Sequence, residues 1–135
     1  MTLRYLLDTN IVSDLIRHPQ GQVARQIAAK GEETVCTSII VAAELRYGAE
    51  KAGSKRLSER VDLVLSALEV LPFETPGDFH YGVIRHHLAR HGTPIGPNDL
   101  LIAAHARSLD LTVVTANDRE FSRIPDLQVE NWMAD

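Results

Sequence analysis

The apolar positions of the chain fall into short continuous runs separated by longer amphipathic stretches. RYLLD, residues 4–8, is a brief apolar run ending on a carboxylate. Ile11, Val12, Leu15 and Ile16 then recur at helical spacing until Pro19 and Gly21 stop the pattern. VARQIAAK (23–30) reads as a second short helix ended by Gly31, and TVCTS (34–38) as a β-branched strand. IIVAAELRYGAEKA (39–52) predicts a helix with Gly53 just past its end. RLSERVDLVLSAL (56–68) is another, with Leu57, Val61, Val64, Leu65 and Leu68 on one side. After the strand EVLPF (69–73), DFHYGVIRHHLARHG (78–92) predicts a helix with Gly92 at its C-terminal cap. PNDLLIAAHARSLDL (97–111) is apolar nearly all round, so this helix is expected to be buried on more than one side. TVVTA (112–116) is a strand, REFSRI (119–124) a turn of helix and LQVENW (127–132) a last short strand.

Strands that alternate with helices, each a continuous apolar run, predict an α/β fold with a parallel sheet covered on both faces. The chain has 135 residues, no internal repeat and no linker-like tract, so one domain over 1–135 is expected. Its composition, 44% hydrophobic and 24% charged, is that of an ordinary globular protein and excludes a disordered or fibrous chain. The single cysteine, Cys36, lies in an apolar strand with nothing basic beside it, which favours a small buried hydrophobe over a reactive thiol. The apolar run before Asp8 is too short for a signal peptide, and none approaches the ~20 residues of a membrane span. A cytoplasmic location is the expectation. The net charge of −4 argues against a protein that coats nucleic acid nonspecifically. It does not exclude a nuclease, because setting four clustered carboxylates aside from the 18 acids leaves 14 against 14 basic residues.

Ligands of an open parallel sheet bind at the carboxyl ends of its strands, so what each strand delivers there is informative. The first delivers Asp8, the second leads into a helix carrying Glu44, TVVTA leads to Asn117 and Asp118, and Asp99 starts the helix before that strand. Each has a plain structural role to weigh. Asp8 and Asp99 can cap helices for ~1 kcal/mol each, and Asp118 sits in an Asn-Asp turn. Glu44 lies more than a turn inside its helix and caps nothing, although a surface salt bridge to Arg46 or Lys51 would account for it. Taken together the four change meaning. Two charges about 4 Å apart repel by ~4 kcal/mol at an effective dielectric of about 20. A cluster of such acids must hold protons or hold cations. Oxygen donors with no Cys or His among them suit Mg²⁺ or Mn²⁺, the usual equipment for cutting phosphodiesters. Thr9, Asn10, Thr115 and Asn117 would orient the carboxylates or their waters.

LLDTNIVS, AELRYGAEKAG, GTPIGPNDLLIAAHA, VVTANDREF and VENW, in that order from Leu6 to Trp132, resemble the PIN-domain ribonuclease toxins of VapC type. The resemblance implies a three-layer α/β/α domain around a parallel sheet of four to five strands. It also implies a Mg²⁺-dependent endoribonuclease, with Mn²⁺ a possible substitute, that cuts structured RNA such as tRNA, inhibits translation and is neutralised by a VapB-like antitoxin. The family acids fall on Asp8, Glu44 and Asp99, with Asp8 and Asp99 as metal ligands. TANDREF offers both Asp118 and Glu120 as the fourth acid, and Asp118 is preferred as nearer the strand end.

Phosphate contacts need cations, and Arg46, Lys51, Lys55, Arg56 and Arg60 form the best cluster, with Arg46 the favoured RNA contact. A solvated helix face accounts for most of the five. His80, His86, His87 and His91 share one predicted helix. His87 and His91 have the i,i+4 spacing of a zinc pair, but no third ligand accompanies them and surface histidines are the expectation. His105 is expected at the core edge with a hydrogen bond. Tyr47, Leu57, Leu65 and helix 100–109 suggest surplus apolar surface, and with the resemblance they predict a homodimer. The alternatives are a phosphoacceptor receiver, a related DNA nuclease and a catalytically weak PIN-like module that only binds RNA or protein. The first lacks an acid after the third strand and a lysine after the fifth, and the second usually carries extra acids and insertions absent here.

Overall fold

In the computed structural model, residues 2–133 are described. The elements are β1 (Tyr5–Leu7), α1 (Thr9–Arg17), α2 (Gln22–Lys30), a 3-10 turn at Glu32–Thr34, β2 (Val35–Ser38), α3 (Ile39–Ala52) and α4 (Lys55–Ala67). They continue with β3 (Glu69–Leu71), α5 (Gly77–Arg90), α6 (Pro97–Ser108), β4 (Thr112–Val114), α7 (Asp118–Phe121) and β5 (Val129–Glu130). The strands form one parallel sheet in the order β3-β2-β1-β4-β5. Helices α1 to α4 pack among themselves and α5 packs on α6, so the sheet is flanked by helices as expected.

The register aligns the carboxyl ends of three strands. Leu7 of β1 lies opposite Thr37 of β2 and Val114 of β4. Asp8, Ser38 and Thr115, the next residues of each strand, therefore reach one rim. Strand order runs outward from β1 in both directions, through β2 to β3 and through β4 to β5, so this rim includes a topological switch point where α/β sheets bind ligands. Leu6, Leu7, Cys36, Val113 and Val114 are fully buried, which is why these strands read as unbroken apolar runs.

The strands are shorter than their apolar runs. β3 stops before Pro72, which has no N–H to continue a ladder. α6 ends at Ser108, three residues early, because Asp110 adopts φ 57° and turns the chain into β4. Gly53, at φ 64°, closes α3 by donating to the Glu50 carbonyl, and Gly92 follows α5 at φ 67°. Ile102 to Ala106 are buried without a break, as a helix apolar all round requires.

The surplus apolar surface coincides only in part with what the sequence pattern suggests, at Tyr47 and Leu109. Leu65 and most of α6 belong to the chain's own core and Leu57 packs against it, whereas Ile39, Tyr47, Leu63, Phe79, Val83 and Leu109 are exposed. Among the described residues no helix is long and apolar enough to cross a membrane.

Candidate functional site

Asp8 does two jobs with two oxygens. Its Oδ1 accepts from Thr9 N at 2.8 Å and caps α1, while its carbonyl accepts from Ile11 and Val12. Its Oδ2 accepts from Thr115 Oγ1 at 2.7 Å and from Asn10 Nδ2 at 3.4 Å. The side chain is only 1% exposed and faces no cation among the described residues. Burial pushes its pKa up, against the hydrogen bonds from Thr115 and Thr9, and the charge of Glu44 adds to the rise. A cap alone does not explain a buried, unneutralised carboxylate.

Thr9 and Asn10 link Asp8 to its surroundings. Thr9 Oγ1 donates to Glu44 Oε1 at 2.6 Å, which ties α1 to α3. Asn10 Oδ1 accepts from Ala116 N at 3.0 Å, and Thr115 Oγ1 accepts from Asn117 N at 2.9 Å, so the segment after β4 is held against the segment after β1. Asn117 Nδ2 then reaches Glu120 Oε2 at 2.9 Å and Asp99 Oδ2 at 3.4 Å. Glu44 is not salt-bridged to Arg46; Arg46 pairs with Asp62 of α4 at 2.5 Å, both more than half exposed.

Asp99, in the first turn of α6, registers the whole cluster. Its pKa is pushed up to about 6, first by burial and then by the charges of Asp8, Glu44 and Glu120, while Asn117 pulls it back. Asp118 is not among the charges acting on Asp99. Its Oδ1 accepts from Asn131 Nδ2 at 3.3 Å, on the side of β5. The fourth acid brought to the site is thus Glu120, where the strand-end preference pointed to Asp118. The reason is helical geometry. Residues two apart on a helix point to different sides, whereas Asn117 and Glu120, three apart, share a face. That spacing is present in TANDREF as the signal that distinguishes them. Asn98, unremarked in the sequence, also enters the site by donating from Nδ2 to Glu44 Oε2 at 3.2 Å.

The donor set fits a hard divalent cation. It consists of carboxylates with neutral hydroxyl and amide neighbours, and no described salt bridge neutralises Asp8, Glu44, Asp99 or Glu120. Among the described residues no three His, Cys, Asp or Glu side chains stand close enough, as placed, to hold a metal ion together, the acids being joined through Thr9 and Asn117 instead.

The remaining candidates have structural roles. Cys36 is buried, donates to the Tyr5 carbonyl, and burial pushes its thiol up to about 12, so it is no nucleophile at neutral pH. His105 is 2% exposed with Nδ1 at 2.8 Å from Ser38 Oγ, and burial lowers its pKa. The rings of His87 and His91 lie 4.1 Å apart, and His91 Nδ1 contacts the His87 carbonyl.

A family model described as the PIN domain matches residues 5–127. Ribonuclease VapC2 of Rickettsia felis is 42% identical over 130 residues, 95% of this chain and 97% of that protein. The tRNA(fMet)-specific endonuclease VapC of Salmonella typhimurium is 43% identical over 131 residues, 96% of this chain and 98% of its own. Among solved structures, that of VapBC2 from Rickettsia felis bound to a promoter DNA fragment superposes with a TM-score of 0.87 at 39% identity, covering 98% of this chain and 99% of that one.

Proposed function

Since the chain belongs to the PIN-domain family, among its VapC-type ribonuclease toxins, we propose that Asp8, Glu44, Asp99 and Glu120 hold a divalent cation, Mg²⁺ or Mn²⁺, and cleave RNA. One observation carries the metal site: Thr9 and Asn117 tie Glu44, Asp99 and Glu120 together beside the buried Asp8 with no salt bridge to any of them among the described residues. The repulsion this creates, which adds to burial in raising the pKa of Asp99, is what a bound cation would relieve. Asp8 and Asp99 are the primary ligands in this reading, and Glu120 replaces Asp118 as the fourth acid. The cation, when bound, supplies Lewis-acid stabilisation of the phosphate and a lowered pKa for water. The chain's own side chains prepare the place. Thr115, Thr9 and Asn10 orient Asp8 and oppose the rise that burial causes in its pKa, Thr9 also fixes Glu44, and Asn117 spans Asp99 and Glu120.

The substrate class follows from the relatives. Proteins named as tRNA(fMet)-specific endonucleases align over nearly the whole chain, so tRNA is the substrate to test first. Their company also supports a VapB-like antitoxin, since the similar structures are VapBC complexes. A cytoplasmic location accords with both. The relatives' ribonuclease names do not favour a catalytically weak binding module. Arg46 as an RNA contact would first have to leave Asp62, an exposed pair of ~1 kcal/mol or less. The homodimer rests on exposed Ile39, Tyr47, Phe79 and Val83.

The test is cleavage of purified bacterial tRNA by wild type and Asp8→Asn, each with Mg²⁺ and with EDTA. Discrete fragments from wild type with Mg²⁺ alone are the expected result. Equal fragmentation by both proteins, or in EDTA, would overturn the assignment.

A further inference from the structure

Glu44 is the acid with least reason of its own to face the site. It stands inside α3, caps nothing and has no cationic partner among the described residues. What directs it is a clamp of two side chains from two other helices: Thr9 of α1 on Oε1 at 2.6 Å and Asn98 of α6 on Oε2 at 3.2 Å. These partners lie 35 and 54 residues away along the chain. Asn98 is exposed at the start of α6, next to Asp99, and the hydrogen bond it donates to Glu44 crosses to another helix.

We infer that Asn98 is a positioning residue, which turns Glu44 toward the metal site without neutralising it. The inference rests on the metal-site reading above. Its basis is the type of group at each end of the bond. An amide donor fixes the direction of a carboxylate through one hydrogen bond and leaves its full charge for a cation. A lysine at 98 would reach the same oxygen but satisfy the charge, competing with the metal. An alanine would leave Oε2 without its partner and free the carboxylate to turn to solvent. Asn98 does not touch the reacting atoms; it acts through Glu44.

The experiment is Mn²⁺ binding by the full chain, followed by electron paramagnetic resonance of free Mn²⁺, with RNA cleavage measured in parallel. Asn98→Ala is expected to weaken Mn²⁺ about tenfold and Asn98→Lys by more, whereas Asn98→Gln, which keeps the amide, recovers most of the affinity. In a Glu44→Gln background the Ala substitution should add nothing. Cleavage by Asn98→Ala should lose kcat at saturating RNA with KM little changed. Circular dichroism melts identify any variant that fails to fold, and Asn98→Leu, of similar size but with no donor, then replaces Asn98→Ala. Unchanged Mn²⁺ affinity in Asn98→Ala overturns the inference, as does an equal loss whether Glu44 is intact or replaced by glutamine. Absence of Mn²⁺ binding by wild type would overturn the metal site itself, and this inference with it.

Discussion

Asp99 shows what the cluster costs the fold. A carboxyl whose folded pKa is about 6, against an ordinary 3.8, binds its proton more tightly when folded than when unfolded. Its contribution is neutral below about pH 4, becomes destabilising as pH rises through 4 to 6, and is fully destabilising above. Asp99→Asn should therefore be more stable than wild type at pH 7, on the order of 1–2 kcal/mol after allowing for partial exposure, and gain nothing at pH 4. Urea unfolding at the two pH values reads this directly; an equal gain at both would mean that charge repulsion is not the cause. At the neighbouring acids, Glu120→Gln should reduce cleavage at least about tenfold, whereas Asp118→Asn, bonded away to Asn131, should stay within about twofold. The reverse order would restore Asp118 as the fourth acid.

At the scale of elements, the site is assembled where helix beginnings meet strand ends. α1 begins after Asp8, α3 after Ser38 and α6 after Gly96, each bringing an acid within its first two turns or at its cap. Ser38 is a junction among these: its Oγ accepts from Ile40 N at 3.0 Å and meets His105 Nδ1 at 2.8 Å, so it joins α3 to α6. Ser38→Ala removes a cap and strands a buried imidazole nitrogen. It should cost about 2 kcal/mol in denaturant unfolding, more than a cap alone. A loss of about 1 kcal/mol or less, that of a cap alone, would mean that the His105 contact carries nothing.

For the whole molecule, a cation that binds only the folded state must raise its melting temperature. Saturating Mg²⁺, at about a hundred times its dissociation constant, should add ~2.7 kcal/mol, several degrees for a chain of this size. Asp8→Asn should lose that increment. The exposed apolar residues Phe79 and Val83, one turn apart on α5, bear on assembly. Phe79→Glu should leave the monomer fold intact and shift the sedimenting species from dimer to monomer at micromolar concentration. A wild type that sediments as a monomer would remove the homodimer.

The alternation of apolar runs and amphipathic helices is enough to specify a parallel α/β sheet, because strands buried on both faces leave no polar alternation to read. It is enough as well to place Asp8 at a strand end, Asp99 at a helix start and Gly53 and Gly92 at helix ends, since these depend on neighbours a few residues away. Choosing Glu120 over Asp118 is within reach of local geometry, through the three-residue spacing to Asn117, although proximity to the strand end favours the other acid. Two matters belong to tertiary structure alone. Arg46 turns to Asp62, and Asn98 crosses to Glu44 over 54 residues of chain. Each depends on how two helices sit against each other, and a side chain's choice among distant partners is made by that packing, which leaves no periodic trace in the sequence.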